Sequence, residues 1–73
     1  MVIRLDTVEK VTEFVNSIEE LPVEMDLICG RTEVDAKSLL GVFSLDLTRP
    51  LTVRLPESSE QSEEIHRLLD RFV

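Results

Sequence analysis

The sequence predicts an α+β domain, an open-faced β-sandwich in the order β-α-β-β-α-β-α, with a four-stranded antiparallel sheet and three helices on one face. Three observations carry this expectation. Apolar residues recur at helical spacing near both ends of the chain. Short runs of alternating apolar and polar residues lie between them, bracketed by Gly and Pro. Antiparallel strands with one polar face need their other face covered, and the helical stretches supply the cover.

The opening strand is Val2-Ile3-Arg4-Leu5. A helix over 7–20 follows, with Asp6 as cap, Glu9 at its third position, and Val8, Val11, Phe14, Val15 and Ile18 in helical period. Pro22 ends it, because the residue before a proline avoids helical dihedrals. Val23, Met25, Leu27 and Cys29 then alternate with Glu24, Asp26 and Ile28, a second strand. Gly30-Arg31 makes the turn into a hairpin partner, Thr32-Glu33-Val34-Asp35. Ser38–Ser44, short and interrupted by Gly41, reads as a brief helix capped by Ser38. Leu51, Val53 and Leu55 alternate with Thr52 and Arg54 between Pro50 and Pro56, the fourth strand. A final helix is expected over 59–72, with Ser58 and Gln61 as a capping box and Ile65, Leu68, Leu69 and Phe72 as its apolar face.

Composition narrows the functions. The chain has 73 residues and forms one domain over 1–73, with a net charge of −7. That sign opposes binding to nucleic acid phosphates or anionic lipid, whose affinity rests on cationic neutralisation. Aromatic residues are 4% of the chain, all Phe, so base-stacking platforms are not expected. One Cys and one His exclude an internal disulfide framework and a four-ligand zinc site. No apolar run approaches the ~20 residues of a membrane span, and no signal-peptide pattern opens the chain. The expectation is a cytoplasmic protein without metal or cofactor, and not an enzyme.

Individual residues have bland and functional readings. Cys29, on the alternating face with Met25 and Leu27, reads as a small buried hydrophobe, the alternative being a redox thiol. His66 follows Ile65 by about 100° around the last helix and reads as a surface residue, the alternative being a phosphoacceptor or base. Glu33, Asp35 and Asp46 lack metal-loop spacing, and Gly30 and Gly41 are single glycines with no phosphate-cradling loop. A seven-residue helix at 38–44 has one buried side, which Leu40, Val42, Phe43 and Leu45 cannot all face. Some of them are core and some are left outside, where exposed apolar clusters mark interaction sites.

The segment Val34–Leu45, with Asp46 after it, resembles the regulatory-serine region of HPr, the small histidine-containing phosphocarrier of the bacterial sugar phosphotransferase system. The family pattern is a basic residue, the serine, two large apolar residues, any residue and an apolar one. Two arbitrary positions, a further apolar residue and a small or acidic one complete it. Lys37, Ser38, Leu39, Leu40, Gly41, Val42, Leu45 and Asp46 fit these places. The element order is also the family's, so the resemblance spans almost the whole chain and is most specific over 32–46. It implies that Ser38 is a site of regulatory phosphorylation and that Leu39, Leu40 and Phe43 form an exposed patch that meets partners. Lys37 beside them either lends positive potential to a docking partner or is ordinary surface.

The family's phosphoacceptor motif (Gly, apolar, His, small, Arg, Pro) has no counterpart. The corresponding stretch is Leu5-Asp6-Thr7-Val8-Glu9-Lys10, with Thr7 nearest the histidine position and Glu9 nearest the arginine position. A phosphothreonine is an ordinary monoester with poor transfer potential, and threonine needs a nearby base to attack phosphorus. Glu9 repels a phosphoryl group that an arginine would clamp. Thr7 and Glu9 read simply as a helix start. The chain is therefore similar to catabolite-repression HPr-like proteins, which lack the histidine and keep the serine site. The resemblance implies a regulatory protein-interaction module without histidine phosphotransfer. Its expected partners are proteins such as HPr kinase, a transcriptional regulator or enzyme I, and its expected state is a monomer or a strand-swapped homodimer. The alternatives are a phosphocarrier with a displaced acceptor such as His66, a ferredoxin-like, ACT-type module that binds amino acids between subunits, and a plain structural unit of a larger complex.

Overall fold

A computed structural model describes residues 1–60 and 62–73. Its strands are β1 (Val2–Ile3), β2 (Asp26–Cys29), β3 (Thr32–Asp35) and β4 (Leu51–Arg54), and its helices are α1 (Val8–Ile18), α2 (Leu39–Phe43) and α3 (Glu63–Leu69). Short 3-10 turns lie at Glu57–Ser59 and Asp70–Phe72. The sheet order is β1-β4-β2-β3, and every neighbouring pair is antiparallel. β2 and β3 are joined by Gly30-Arg31, and among the described residues Gly30 alone has positive φ, at 60°. A positive φ at only the first central residue is the type II′ pattern, whose twist matches that of the strands.

The predicted open-faced α+β sandwich is the observed architecture. Along β4, Leu51 and Val53 are buried while Thr52 and Arg54 are exposed. Along β2, Leu27 and Cys29 are buried and Asp26 and Ile28 only partly so. The inward row meets Val11, Phe14, Val15 and Ile18 of α1, Val42 of α2, and Ile65 and Leu69 of α3, in one core. Phe72 closes the core edge-on to Phe14, with ring centroids 5.4 Å apart. The open face carries Arg54, whose guanidinium pairs with Asp26 at 3.1 Å and with Glu33. Among the described residues, no helix is long and apolar enough to cross a membrane.

Several boundaries differ from the sequence expectation, each for a local reason. The first strand stops at Ile3 because the Arg4 amide donates to the Phe72 carbonyl, at 2.7 Å, instead of continuing the ladder. The second strand starts at Asp26, not Val23. Asp26 faces Asp35 on one side and Arg54 on the other, and neither neighbouring strand extends beyond those residues. The same limit ends β4 at Arg54, one residue short of Leu55. The first helix is capped by Thr7, not Asp6: Thr7 Oγ1 accepts from the Lys10 amide at 3.1 Å, while Asp6 pairs with the Lys10 ammonium at 2.9 Å. Its C-terminal end is Ile18 rather than residue 20, and the Leu21 amide closes a tight turn onto the Ile18 carbonyl.

The last helix departs most. It is half the expected length, Glu63–Leu69, and its cap is Ser62, whose Oγ accepts from the Ile65 amide at 3.3 Å. Ser58 lies in a 3-10 turn after Pro56 and caps nothing among the described residues, and the Gln61 half of the expected capping box lies outside them. Arg71 and Phe72 follow in a second 3-10 turn. Ser62→Ala should therefore cost about 1 kcal/mol in a urea unfolding curve, and Ser58→Ala close to nothing. Equal costs would restore the longer helix.

Candidate functional site

The serine-capped helix α2 is the site to which the sequence pattern points. Ser38 is extended (φ −92°, ψ 109°), and its Oγ accepts from the Gly41 amide at 3.1 Å. A Cβ at position 41 would lie 3.2 Å from both Ser38 Cβ and Oγ, so the glycine leaves room for this close cap. The Ser44 amide and hydroxyl close the other end onto the Gly41 carbonyl.

So short a helix can bury one side only. Val42 takes it, fully buried, with Leu45 just beyond the helix at 7% exposure. Leu39, Leu40 and Phe43 stay outside at 43%, 84% and 39% exposure. The one-sidedness expected of this segment is thus resolved residue by residue: Val42 and Leu45 are core, and Leu39, Leu40 and Phe43 are surface. Lys37 is half-buried. Its ammonium donates to the Leu21 carbonyl, where the chain leaves α1, and its amide donates to Asp35 Oδ1 at 2.9 Å. The chain itself thus holds this cation.

Helix α1 packs against α2 on the same side of the sheet. Thr7, nearest the family's phosphoacceptor position, is exposed and engaged as the α1 cap. Val8 shares the helical period of Val11, Phe14, Val15 and Ile18 but not their burial: it is 64% exposed at the first position of α1. With Glu9, Thr12, Glu13, Asn16 and Ser17 it lines an open groove of about 590 Å³ along the outside of α1. The sequence gives no periodic signal for this groove, since only its Val8 end is apolar. Glu13 pairs with Arg71, whose guanidinium carbon also lies 5.7 Å from the centre of the Phe72 ring.

The remaining candidates lie elsewhere. His66 is half-buried on α3, and its Nε2 donates to the Glu60 carbonyl at 2.6 Å, which fixes the proton on that nitrogen. It borders a second groove of about 390 Å³ with Met1, Thr52, Arg54 and Leu55. Cys29 is buried, its thiol 3.8 Å from the Asp46 carbonyl. Among the described residues no group of three or more His, Cys, Asp or Glu is placed to hold a metal ion.

Two carboxylates have depressed pKa values. Asp6 is held below its ordinary 3.8 first by the hydrogen bond from Lys10 and then by the charge of that ammonium. Asp46 is held below 3.8 by the Thr48 hydroxyl, 2.6 Å away, and then by the Thr48 amide. A carboxyl with a lower pKa in the folded state stabilises that state in its ionised form. The contribution is complete above the unfolded value of 3.8 and fades as pH falls through the folded values. Chemical-shift titration should place both midpoints below 3.8, and Lys10→Met should return Asp6 toward it.

Compared with known proteins, the chain matches no family model and no curated protein sequence.

Proposed function

We propose that this chain is an HPr-like regulatory module that docks to protein partners through Leu39, Leu40 and Phe43, is modulated at Ser38, and carries no phosphoryl group on histidine. One observation carries the reading: a serine-capped α2 that sinks Val42 and leaves Leu39, Leu40 and Phe43 outside. Exposed apolar clusters of this kind mark interaction sites. The sheet order, with β4 and β2 central, supports it over the ferredoxin-like alternative, in which the first and third strands are central.

Phosphotransfer is a poor fit to the residues at the α1 start. Thr7 Oγ1 is engaged as the α1 cap, the Asp6 carboxylate next to it is paired with the Lys10 ammonium, and Glu9 carries the wrong charge for a phosphoryl clamp. A displaced acceptor at His66 would have to attack through Nδ1, since Nε2 donates to the Glu60 carbonyl, and the arginine that borders its groove is already paired with two carboxylates instead of being open to a phosphoryl group. Phosphorylation of Ser38 would add nearly two negative charges beside the apolar patch, enough to change which partner docks while the fold stays intact.

Titrating the isotope-labelled chain with HPr kinase tests the reading by chemical-shift mapping. Shifts should gather on residues 38–45 and on the neighbouring start of α1. Binding that leaves these residues unshifted would refute it.

A further inference from the structure

The docking face carries its own statement of what it will accept. Its centre is apolar and uncharged: residues 38–45 contain no Asp, Glu, Lys or Arg. Its flank on α1 is acidic. Residues 6–20 hold Asp6, Glu9, Glu13, Glu19 and Glu20 against Lys10, a net of 1 − 5 = −4, and Arg71 from the C-terminal turn offsets Glu13. The Lys10 ammonium is taken by Asp6 at 2.9 Å, and that of Lys37 by the Leu21 carbonyl. Glu9 has no ion-pair partner among the described residues.

Resting on the docking reading above, we infer that the partner presents lysine or arginine side chains around an apolar anchor. The anchor covers Leu39, Leu40 and Phe43, and the cations reach the outer face of α1. The α1 groove suits them. A long cationic side chain lays its methylene stem against Val8, 64% exposed, and brings its head to the Glu9 carboxylate. A second copy of this chain does not suit the face, because each copy carries −7 and brings the same acidic flank. Opposed like charges suppress association. Nucleic acid and anionic lipid fail for the same reason of sign.

Two synthetic amphipathic helical peptides test this, identical on the apolar face and bearing only Lys or only Glu on the polar face. The lysine peptide should bind at least about tenfold more tightly, as a few rim ion pairs imply. Its affinity should fall with added salt. Its shifts should cover α1 and residues 38–45, and either Glu9→Lys or Leu40→Asp should weaken it. Equal or tighter binding of the glutamate peptide to the same residues would overturn the charge inference and leave the docking face standing. Shifts from both peptides that avoid 38–45 would overturn both. Concentration-dependent dimerisation that Leu40→Asp abolishes would assign the face to a second copy and overturn the inference.

Discussion

Phe14→Ala should strip this protein of about 3–5 kcal/mol, a large share of its whole stability. A domain of 73 residues has roughly 4–11 kcal/mol of stability to lose, at the usual 0.05–0.15 kcal/mol per residue. Removing a fully buried phenylalanine typically costs 3–5 kcal/mol, from lost transfer free energy and the cavity left behind. Phe14 is fully buried and meets Phe72 edge-on, and Phe72 in turn accepts the Arg4 amide at its carbonyl. The ring therefore supports the contact by which the C-terminal turn closes on the first strand. A small domain buries only ~60% of its unfolded surface, so little else compensates. Circular dichroism against urea checks this. Phe14→Leu, which keeps most of the volume, should fold with a lowered midpoint, whereas a midpoint unchanged in Phe14→Ala would mean that the core is not organised around this ring.

Leu40→Asp with Phe43→Asp should do the opposite, weakening partner binding at least a hundredfold while the urea midpoint moves little. The side chains are 84% and 39% exposed, so charging them sacrifices little core packing. Substitutions away from buried features usually stay within about 0.5 kcal/mol each. At an interface the balance reverses, because a carboxylate pressed into an apolar pocket is desolvated without a partner, and central hot-spot residues cost 2 kcal/mol or more apiece. Val42→Asp is the matching control: Val42 is fully buried, and its replacement should unfold the protein. Retained affinity in the double variant would remove the docking face from consideration.

Much of the fold could be read from pattern, because burial has a period. The buried stripe Val11, Phe14, Val15 and Ile18 is spaced as a helix face must be, and Leu51 and Val53 alternate with exposed neighbours as a half-buried strand requires. What could not be read was decided by contacts remote in sequence. Arg4 leaves the strand for the Phe72 carbonyl, and β2 begins where its two neighbours begin to pair with it. Both facts depend on segments about 70 and 30 residues apart that no local window joins. Ser58 and Ser62 both look like caps, and Pro56 settles the choice by favouring a tight turn before the helix can start.

The candidate site was legible in kind. Ser38 was expected to cap a short helix, and that helix was expected to leave apolar side chains outside. Which ones face out depends on how α2 is rotated against the sheet, and that became clear only with Val42 buried. The Lys37 ammonium was not legible because its acceptor, the Leu21 carbonyl, is 16 residues away in sequence, and the α1 groove was not because its lining is mostly polar and carries no apolar period.

The most direct test of a regulatory module without histidine phosphotransfer is intact mass after two parallel incubations, one with enzyme I and phosphoenolpyruvate, the other with HPr kinase and ATP. The account predicts one acid-stable phosphate in the second, absent from Ser38→Ala, and none in the first. An acid-labile phosphate in the first would restore carrier function, and no gain in either would remove Ser38 as the switch.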